Sequence, residues 1–250
     1  MFYFGTNTKQ NLDAITHEEV VEMAALLAKS NKDTQFFVLP TMPLVRELKK
    51  ASHGSGLWVG AQRVSGTQKN TTGKISAKLL ADSDLDLVMV GHAERRAFGE
   101  DSEAEINNQL KALIEVKLPI LYCIGEEFLE ENRDKRKAWF KKQLLVLRDL
   151  YIDKAIIGYE PVWSIGEKGI PAQPEYVEES FLIIKECLKE LERNVDNFPL
   201  LYGGSVNVDN AKQLASLDSC DGLFVGRSAW SKDGFRLVYE KAHAGYKTKF

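Results

Sequence analysis

The sequence predicts an α/β protein whose 250 residues form a single (β/α)8 barrel. Eight short apolar runs recur about every 31 residues, which is the length of one strand and one crossover helix. Most of these runs are continuously apolar rather than alternating, as expected for parallel strands that are buried on both faces. Eight such units in a chain of this length match a closed barrel of this kind.

The strands and helices alternate along the whole chain. The predicted strands cover residues 2–4, 36–39, 57–59, 87–90, 120–123, 155–157, 200–202 and 223–225, and helical patterns cover 17–30, 103–116, 126–150, 174–191 and 208–215. An open doubly wound sheet is the alternative fold. It usually carries a Gly-x-Gly-x-x-Gly turn after its first strand, which the segment from Gly5 to Lys9 does not match. No linker or repeat divides the chain, so residues 1–250 are predicted to be one domain.

The composition excludes several classes of partner. The net charge of -3 gives no reason to expect nucleic acid or an anionic membrane as a partner. No apolar run approaches the ~18 residues of a membrane-spanning helix, and the first residues lack a signal-peptide pattern. Three widely separated cysteines are neither a disulfide framework nor a metal site. We therefore expect a cytoplasmic location.

Polar residues follow several of the predicted strands directly, where barrel enzymes place their chemistry. They are Asn7 and Lys9 after the first strand, His92 and Glu94 after the fourth, Glu160 after the sixth, Ser205 after the seventh, and Gly226 and Arg227 after the eighth. Backbone N–H groups of glycine-containing turns at helix starts bind phosphate. The glycines could also merely permit tight turns, but two such turns after the last two strands favour a phosphate site.

A carboxylate, an imidazole and an ammonium beside a phosphate site indicate proton transfer next to a carbonyl group. Glu160 would remove a proton from carbon, His92 would polarise the carbonyl oxygen, and Lys9 would stabilise the enediolate. The helix start after His92 disfavours an imidazolium. No cluster has metal-ligand spacing, so neither a metal nor a cofactor is expected. The other histidines, His17, His53 and His243, are predicted to lie on the surface.

Four motifs resemble the triosephosphate isomerase family along nearly the whole chain. They are Gly-His-Ala-Glu-Arg-Arg at 91–96, Cys-Ile-Gly-Glu at 123–126, Tyr-Glu-Pro-Val-Trp-Ser-Ile-Gly at 159–166 and Tyr-Gly-Gly-Ser-Val at 202–206. The resemblance implies that Glu160 is the base, His92 the neutral electrophile and Lys9 the charge stabiliser. That family is itself the standard example of these roles and of closure by a lid.

The resemblance also implies further site residues and a partner. Asn7 and Glu94 would support the site. Phosphate would be held by backbone N–H groups of Gly166, Ser205, Gly226 and Arg227, and the lid would comprise Pro161, Val162, Trp163, Ser164, Ile165 and Gly166. The protein would be a homodimer whose loop of about residues 62–76 inserts into the partner, with Thr72 near the partner's Asn7.

Four departures from the family pattern bear on substrate and assembly. Thr8 replaces a tryptophan, Arg227 replaces the second of two glycines, and Lys74 replaces a glutamate that would face Arg95, which puts the usual dimer contact in doubt. The end of the lid, at 166–172, is one residue longer than usual.

The turn at 226–230 and the lid end are similar to a branch of the family, the erythrulose 1-phosphate isomerases of erythritol catabolism. This four-carbon substrate is therefore favoured. The three-carbon alternative is interconversion of dihydroxyacetone phosphate and glyceraldehyde 3-phosphate, as in glycolysis and gluconeogenesis. Arg227 could instead point to solvent, with only its backbone serving the phosphate. A non-catalytic phosphosugar-binding barrel and an epimerase are further alternatives.

Overall fold

The computed structural model describes residues 1–10, 13–67, 71–166 and 169–250. Strands and helices alternate through these residues. The strands are Phe2–Asn7 (β1), Thr34–Leu39 (β2), Trp58–Val59 (β3), Val88–Val90 (β4), Ile120–Ile124 (β5), Ile156–Tyr159 (β6), Leu200–Tyr202 (β7) and Gly222–Val225 (β8). The helices are Ala14–Ser30 (α1), Val45–Ala51 (α2), Ala77–Asp82 (α3), Ala93–Ala97 (α4), Glu103–Glu115 (α5), Arg133–Asp149 (α6), Pro174–Glu190 (α7), Ala211–Ala215 (α8) and Lys232–Tyr246 (α9).

The eight strands form one parallel sheet that closes on itself. Their order is β3-β2-β1-β8-β7-β6-β5-β4. The two end strands of this order are joined through Ala61, whose N–H donates to the Leu87 carbonyl at 2.9 Å and whose carbonyl accepts from the Met89 N–H at 3.0 Å. The predicted (β/α)8 barrel is therefore confirmed, and the carboxyl ends of all eight strands lie at one rim.

Two apolar layers explain why the strand sequences are continuously apolar. In β2, Phe36 and Val38 belong to the outer layer, which the helices share, whereas Phe37 and Leu39 belong to a layer made of strand residues inside the barrel. Successive side chains of a strand point to opposite faces, so both sets of alternating residues must be apolar. The filled interior makes the barrel a rigid support for the residues at its rim.

Two predicted helices begin later than the sequence indicated. The helix predicted at 126–150 starts only at Arg133, because the Asn132 side chain accepts from the Lys135 N–H at 3.0 Å and caps the helix there. The helix predicted at 208–215 starts at Ala211. Glu126 therefore lies in a loop rather than on a solvated helix, and it is 1% exposed.

The prediction that His17 lies on the surface was wrong. Its side chain is 1% exposed, its Nε2 lies 2.9 Å from Thr8 Oγ1, and its Nδ1 lies 2.8 Å from the Asp13 carbonyl oxygen. The first turn of α1 faces the loop after β1, which the helical pattern alone did not reveal. His53 is exposed as predicted, and His243 is partly buried beside Asp33.

Membrane-spanning helices, disulfides and groups of metal ligands are all absent from the described residues. No helix among the described residues is both long and apolar enough to cross a membrane. All three cysteines are buried and free. Within the same residues, no three histidine, cysteine, aspartate or glutamate side chains are grouped closely enough to hold a metal ion.

Candidate active site

A cavity of about 230 Å³ opens at the carboxyl ends of the strands. Its walls include eight of the residues that the sequence predicted for catalysis, support or phosphate binding: Asn7, Lys9, His92, Glu160, Gly166, Ser205, Gly226 and Arg227. Glu94 lines an adjoining cleft of about 840 Å³, which shares Lys9 and His92 with the cavity. Barrel closure thus brings together residues from five strand ends.

Glu160 is the buried carboxylate of this cavity. It follows β6 directly, and it is 2% exposed. One carboxylate oxygen, Oε2, accepts from the Ala93 N–H at 2.9 Å, and the other, Oε1, lies 3.5 Å from His92 Nε2. Gly203 is required beside it, because a Cβ there would lie only 2.9 Å from Glu160 Cγ. The carboxylate is therefore held at a defined place, and no ammonium or guanidinium of the described residues pairs with it.

His92 is oriented by the start of α4. Its Nδ1 accepts from the Glu94 N–H at 3.3 Å, as an N-cap side chain does. A ring nitrogen that accepts cannot carry a proton, so this bond selects the tautomer with the proton on Nε2. Nε2 faces Glu160 and the cavity. The imidazole can thus donate a hydrogen bond while it is neutral.

Lys9 lies at the same rim, and its backbone is strained. Its φ is 54°, a left-handed conformation that a residue with a Cβ rarely adopts. Its N–H donates to Asn7 Oδ1 at 2.9 Å, and its carbonyl accepts from Gln62 Nε2 at 2.9 Å. Its Nζ is paired with the carboxylate of Glu94. The predicted supporting residues Asn7 and Glu94 both contact Lys9.

The turns after β7 and β8 leave amide groups unused. Among the described residues, neither the Ser205 N–H nor the Gly226 N–H donates to a protein acceptor, and both residues line the cavity. Asn210 shapes the first turn by donating from Nδ2 to the Ser205 carbonyl at 2.9 Å. Turns whose backbone N–H groups are not used by the protein, as in these two, are suitable sites for a phosphate.

The lid predicted at 161–166 begins as a short 3-10 helix, Val162–Ser164, which follows Pro161. Ile165 is extended, and Gly166 has a φ of 90°, a conformation that favours glycine. The Ser205 hydroxyl donates to the Ser164 carbonyl at 2.7 Å and so joins the lid to the turn after β7. The predicted lengthening of the lid involves Glu167 and Lys168, which lie outside the described residues.

The base of the lid is held by a buried carboxylate, Glu126. Its Oε1 accepts from Trp163 Nε1 at 3.0 Å and from the hydroxyls of Tyr159 and Tyr176, each at 2.9 Å. Its Oε2 is buried and has no hydrogen-bond partner in the part of the chain that the structure describes. Burial raises the pKa of Glu126, and these hydrogen bonds act in the opposite direction. Burial and the nearby Glu126 charge raise the pKa of Tyr159 well above its ordinary value.

Sequence reasoning missed three residues that shape the site. Glu126 was placed on a solvated helix, although its motif was noted. Gln62 was noted only as the start of the loop that would reach a partner, and Trp230 only as part of the turn at 226–230, yet Gln62 bonds to the Lys9 carbonyl and Trp230 lines the cavity. The signal for Glu126 was the Cys-Ile-Gly-Glu motif. No pattern of spacing reveals that residue 62 bonds to residue 9 or that residue 230 bonds to residue 7.

The loop predicted to reach a partner has a simple local structure where it is described. Thr72 is exposed in a turn, with Gly73 at a φ of 79°. Arg95, which was expected to face Lys74 across an interface, is already bound within its own chain. Its Nε and Nη2 donate to the Asp101 carboxylate at 2.8 and 2.9 Å, and its Nη1 donates to Glu100 at 2.6 Å.

The chain matches one family model and many known proteins, three of which are described here. The model for triosephosphate isomerase matches residues 2–242. An L-erythrulose-1-phosphate isomerase of Rhizobium etli is 39% identical over 254 residues, which cover 97% of this chain and 92% of that protein. Proteins of the same name from Brucella melitensis and Mesorhizobium japonicum are 37% and 34% identical, over 94% and 98% of this chain and 93% and 98% of theirs.

A parallel barrel with an acid, an imidazole and an ammonium at its rim, beside unused amides, defines an enzyme that acts on a phosphorylated sugar. The matches extend over nearly the whole chain, which assigns the enzyme to a family. The chain belongs to the triosephosphate isomerase family and is a sugar-phosphate isomerase of that type.

Proposed function

We propose that the chain isomerises a four-carbon ketose phosphate, L-erythrulose 1-phosphate, by moving its carbonyl group from C2 to C3. The observation that carries this proposal is the pair Glu160 and His92. Their facing atoms lie 3.5 Å apart at one cavity, so that a proton acceptor and a donor can address neighbouring atoms of one substrate. The substrate itself is supported by the name that the three relatives share.

The mechanism begins with removal of a proton from carbon. In this substrate C1 carries the phosphate ester, C2 is the carbonyl carbon, and C3 carries a hydrogen and a hydroxyl. Glu160 takes the C3 proton while the Nε2–H of His92 donates a hydrogen bond to the C2 oxygen. Negative charge then develops on the oxygens of a 2,3-enediolate, where the Lys9 ammonium stabilises it.

The second half of the reaction places the proton on the neighbouring carbon. His92 moves a proton between the two enediolate oxygens, and Glu160 returns its proton to C2. The carbonyl group is then at C3, and the product is a ketose phosphate with the same atoms. One carbon is oxidised as its neighbour is reduced, so the step needs no external oxidant or reductant.

The phosphate is assigned to the turns after β7 and β8. The free N–H groups of Ser205 and Gly226 support this assignment, and Gly166 from the lid completes the ring of amides at the cavity wall. The Arg227 side chain adds a positive charge at this end of the cavity. Anchoring the phosphate fixes C2 and C3 beside Glu160 and His92, which supplies much of the orientation that the chemistry requires.

The test is proton exchange and product formation in deuterated water, followed by NMR. With L-erythrulose 1-phosphate, we expect deuterium at C2 of the product and a carbonyl group at C3. Glu160→Gln should reduce turnover by about 10⁴-fold, because the amide cannot accept the proton. If the substrate neither exchanges nor isomerises, the isomerase assignment to this substrate fails and a phosphosugar-binding role replaces it.

The three-carbon reaction is the second candidate, and the shared catalytic residues favour it. Dihydroxyacetone phosphate has a hydrogen where the four-carbon substrate has a hydroxymethyl group, so Glu160 and His92 could act on it in the same way. We expect kcat/KM to be at least about tenfold higher for L-erythrulose 1-phosphate. A higher value for dihydroxyacetone phosphate would reverse the choice.

Arg227 is proposed to contribute to this preference. Arg227→Gly should change the ratio of the two kcat/KM values, and Arg227→Lys should keep most of the original ratio because the positive charge remains. An unchanged ratio in Arg227→Gly would leave only the backbone of residue 227 in the site.

We also propose that the protein is a homodimer in a reducing, cytoplasmic compartment. The cleft beside Lys9 supports the dimer because it is open and is edged by Phe98, which is 76% exposed. The pairing of Arg95 with Asp101 removes the need for a glutamate at position 74. Phe98→Asp should shift the sedimentation coefficient from dimer to monomer. Wild-type protein that sediments as a monomer would refute the dimer.

A further inference from the structure

The short segment that carries the catalytic lysine is held by side chains from three other parts of the barrel. The Asn7 carbonyl accepts from Trp230 Nε1 at 2.8 Å, Thr8 Oγ1 is 2.9 Å from His17 Nε2, and the Lys9 carbonyl accepts from Gln62 Nε2 at 2.9 Å. We call residues 7–9 the lysine loop. Each of its three residues thus has its own anchor.

The anchors matter because the lysine loop does not adopt a relaxed conformation. Lys9 has a φ of 54°, where a Cβ crowds the backbone, so the isolated segment would leave this conformation. Strained backbone persists only where the surrounding structure over-determines it. The direction in which the Lys9 side chain leaves the backbone is set by that φ, and therefore by the anchors.

Trp230 differs from the other two anchors in what it connects. It follows the 3-10 helix Arg227–Ala229, and its backbone N–H donates to the Arg227 carbonyl at 3.1 Å. The ring lines both the cavity and the adjoining cleft. Its indole therefore joins the turn assigned to phosphate to the loop that carries the ammonium, across the seam where β8 pairs with β1.

We propose that Trp230 is a positioning residue that acts through Lys9: its indole N–H fixes the lysine loop relative to the phosphate turn. This inference rests on the proposed function, because it needs Lys9 to bind the phosphorylated substrate and its enediolate. An ammonium displaced by about 1 Å costs roughly 10²-fold in rate. Loss of one of three anchors should displace it less.

The test is a double-mutant cycle between Trp230 and Lys9. Trp230→Phe keeps an aromatic ring but removes the N–H donor, and Lys9→Met removes the ammonium. The probe is 2-phosphoglycolate, a phosphorylated carboxylate whose charge resembles that of the enediolate. We expect Trp230→Phe to weaken its binding about tenfold when Lys9 is present and less than about twofold in the Lys9→Met background. Calorimetric titration measures all four affinities.

Two controls separate positioning from folding. Trp58→Phe makes the same change near the amino end of the barrel, where Trp58 packs 6.5 Å from Tyr3, and it should leave affinity unchanged. Thermal unfolding should give Trp230→Phe a melting temperature close to that of the wild type. In turnover assays, Trp230→Phe should lower kcat/KM about tenfold, with kcat contributing because the enediolate is affected.

The possible outcomes distinguish this inference from the function on which it rests. Equal weakening of binding by Trp230→Phe in both backgrounds would mean that Trp230 acts independently of Lys9, and the inference would be overturned. An unchanged affinity in Trp230→Phe would overturn it as well. If Lys9→Met itself changes neither binding nor turnover, the proposed role of Lys9 fails, and the role of Trp230 fails with it.

Discussion

The lysine loop and the lid approach the same cavity, but they are attached to the barrel in different ways. The three residues of the lysine loop are each bonded to a side chain of another element, namely Trp230, His17 or Gln62. The lid is attached at its base to Glu126 and through Ser164 to Ser205. Among the described residues, the Ile165 N–H donates only within the lid, to the Val162 carbonyl at 3.1 Å, and the Gly166 N–H donates to no protein acceptor.

The difference corresponds to two requirements of the proposed reaction. The enediolate needs a fixed positive charge, because a charge that must reorganise during the reaction stabilises it less. In the proposed mechanism the lid would let substrate in and product out, so it requires few and local attachments. One attachment of the lid, Ser205, also belongs to the turn assigned to phosphate, so an occupied phosphate site can act on the lid directly.

The largest effect is expected from the charge at the centre of the lysine loop. Lys9→Met should lower kcat/KM by about 10³-fold or more, because Lys9 supplies the only ammonium among the described residues that line the cavity. Steady-state kinetics on L-erythrulose 1-phosphate measures this loss. Lys78→Met is the control, since Lys78 is exposed and paired with Asp82, and its activity should equal that of the wild type. A loss below tenfold in Lys9→Met would contradict the role of the lysine.

A smaller effect is expected when an anchor of the lysine loop is removed. His17→Leu should lower kcat by about tenfold, because Thr8 loses a bonded partner and Lys9 shifts with it. It should also destabilise the fold by about 1–3 kcal/mol, since a buried hydroxyl loses a hydrogen bond. The matched variant is His53→Leu at an exposed position, which should change neither. Destabilisation of His17→Leu without any loss of kcat would show that the anchor is only structural.

The lid should respond less strongly, because it has fewer attachments to lose. Gly166→Ala meets no atoms within 4 Å, but it places a Cβ at a φ of 90°. We expect kcat to fall about fivefold, because the strained alanine disfavours the conformation of the lid seen here. Gly54→Ala also has open space and a positive φ, of 72°, yet lies away from the cavity. The kcat of Gly54→Ala should stay unchanged. Equal losses of kcat in the two variants would show that the loss in Gly166→Ala does not arise from the lid.

The smallest effect concerns stability rather than rate. Burial raises the pKa of Glu126 above its ordinary value of 4.5, so the folded protein binds a proton there more readily than the unfolded chain does. The stability that the folded protein gains from this tighter proton binding is fully present below pH 4.5, and it is lost as the pH rises through the pKa of Glu126 in the folded protein. Relative to Glu126→Gln, the wild type should therefore gain stability on acidification. Thermal melts from pH 7 to pH 5 measure the difference in melting temperature between the wild type and Glu126→Gln. A difference that does not vary with pH would contradict the raised pKa.

Most of the fold was open to prediction from the sequence, because parallel strands and crossover helices leave strong local patterns. The eight apolar runs marked the eight strands to within a few residues. The errors arose where tertiary contacts override the local pattern. The charged sequence after Glu126 fits a helix along its whole length, but the side-chain cap at Asn132 fixes where the helix starts. Glu126 itself is held in a buried hydrogen-bond network with Trp163.

The candidate site was predictable only in part. Glu160, His92 and Lys9 each lie within two residues of the end of a strand, so their places at the rim followed from the barrel. The hydrogen bond that fixes the imidazole tautomer of His92 and the pairing of Lys9 with Glu94 depend on side-chain directions, which spacing does not determine.

By itself, the sequence determined a closed barrel, an acid, an imidazole and an ammonium at one rim, and a phosphate-suited pair of turns. These features are local, since each depends on a strand and the few residues that follow it. Only the tertiary structure decided that Trp230, His17 and Gln62 surround the lysine loop. Closure of the barrel brings residue 230 within a hydrogen bond of residue 7, and a contact across the whole length of the chain has no counterpart in any local pattern.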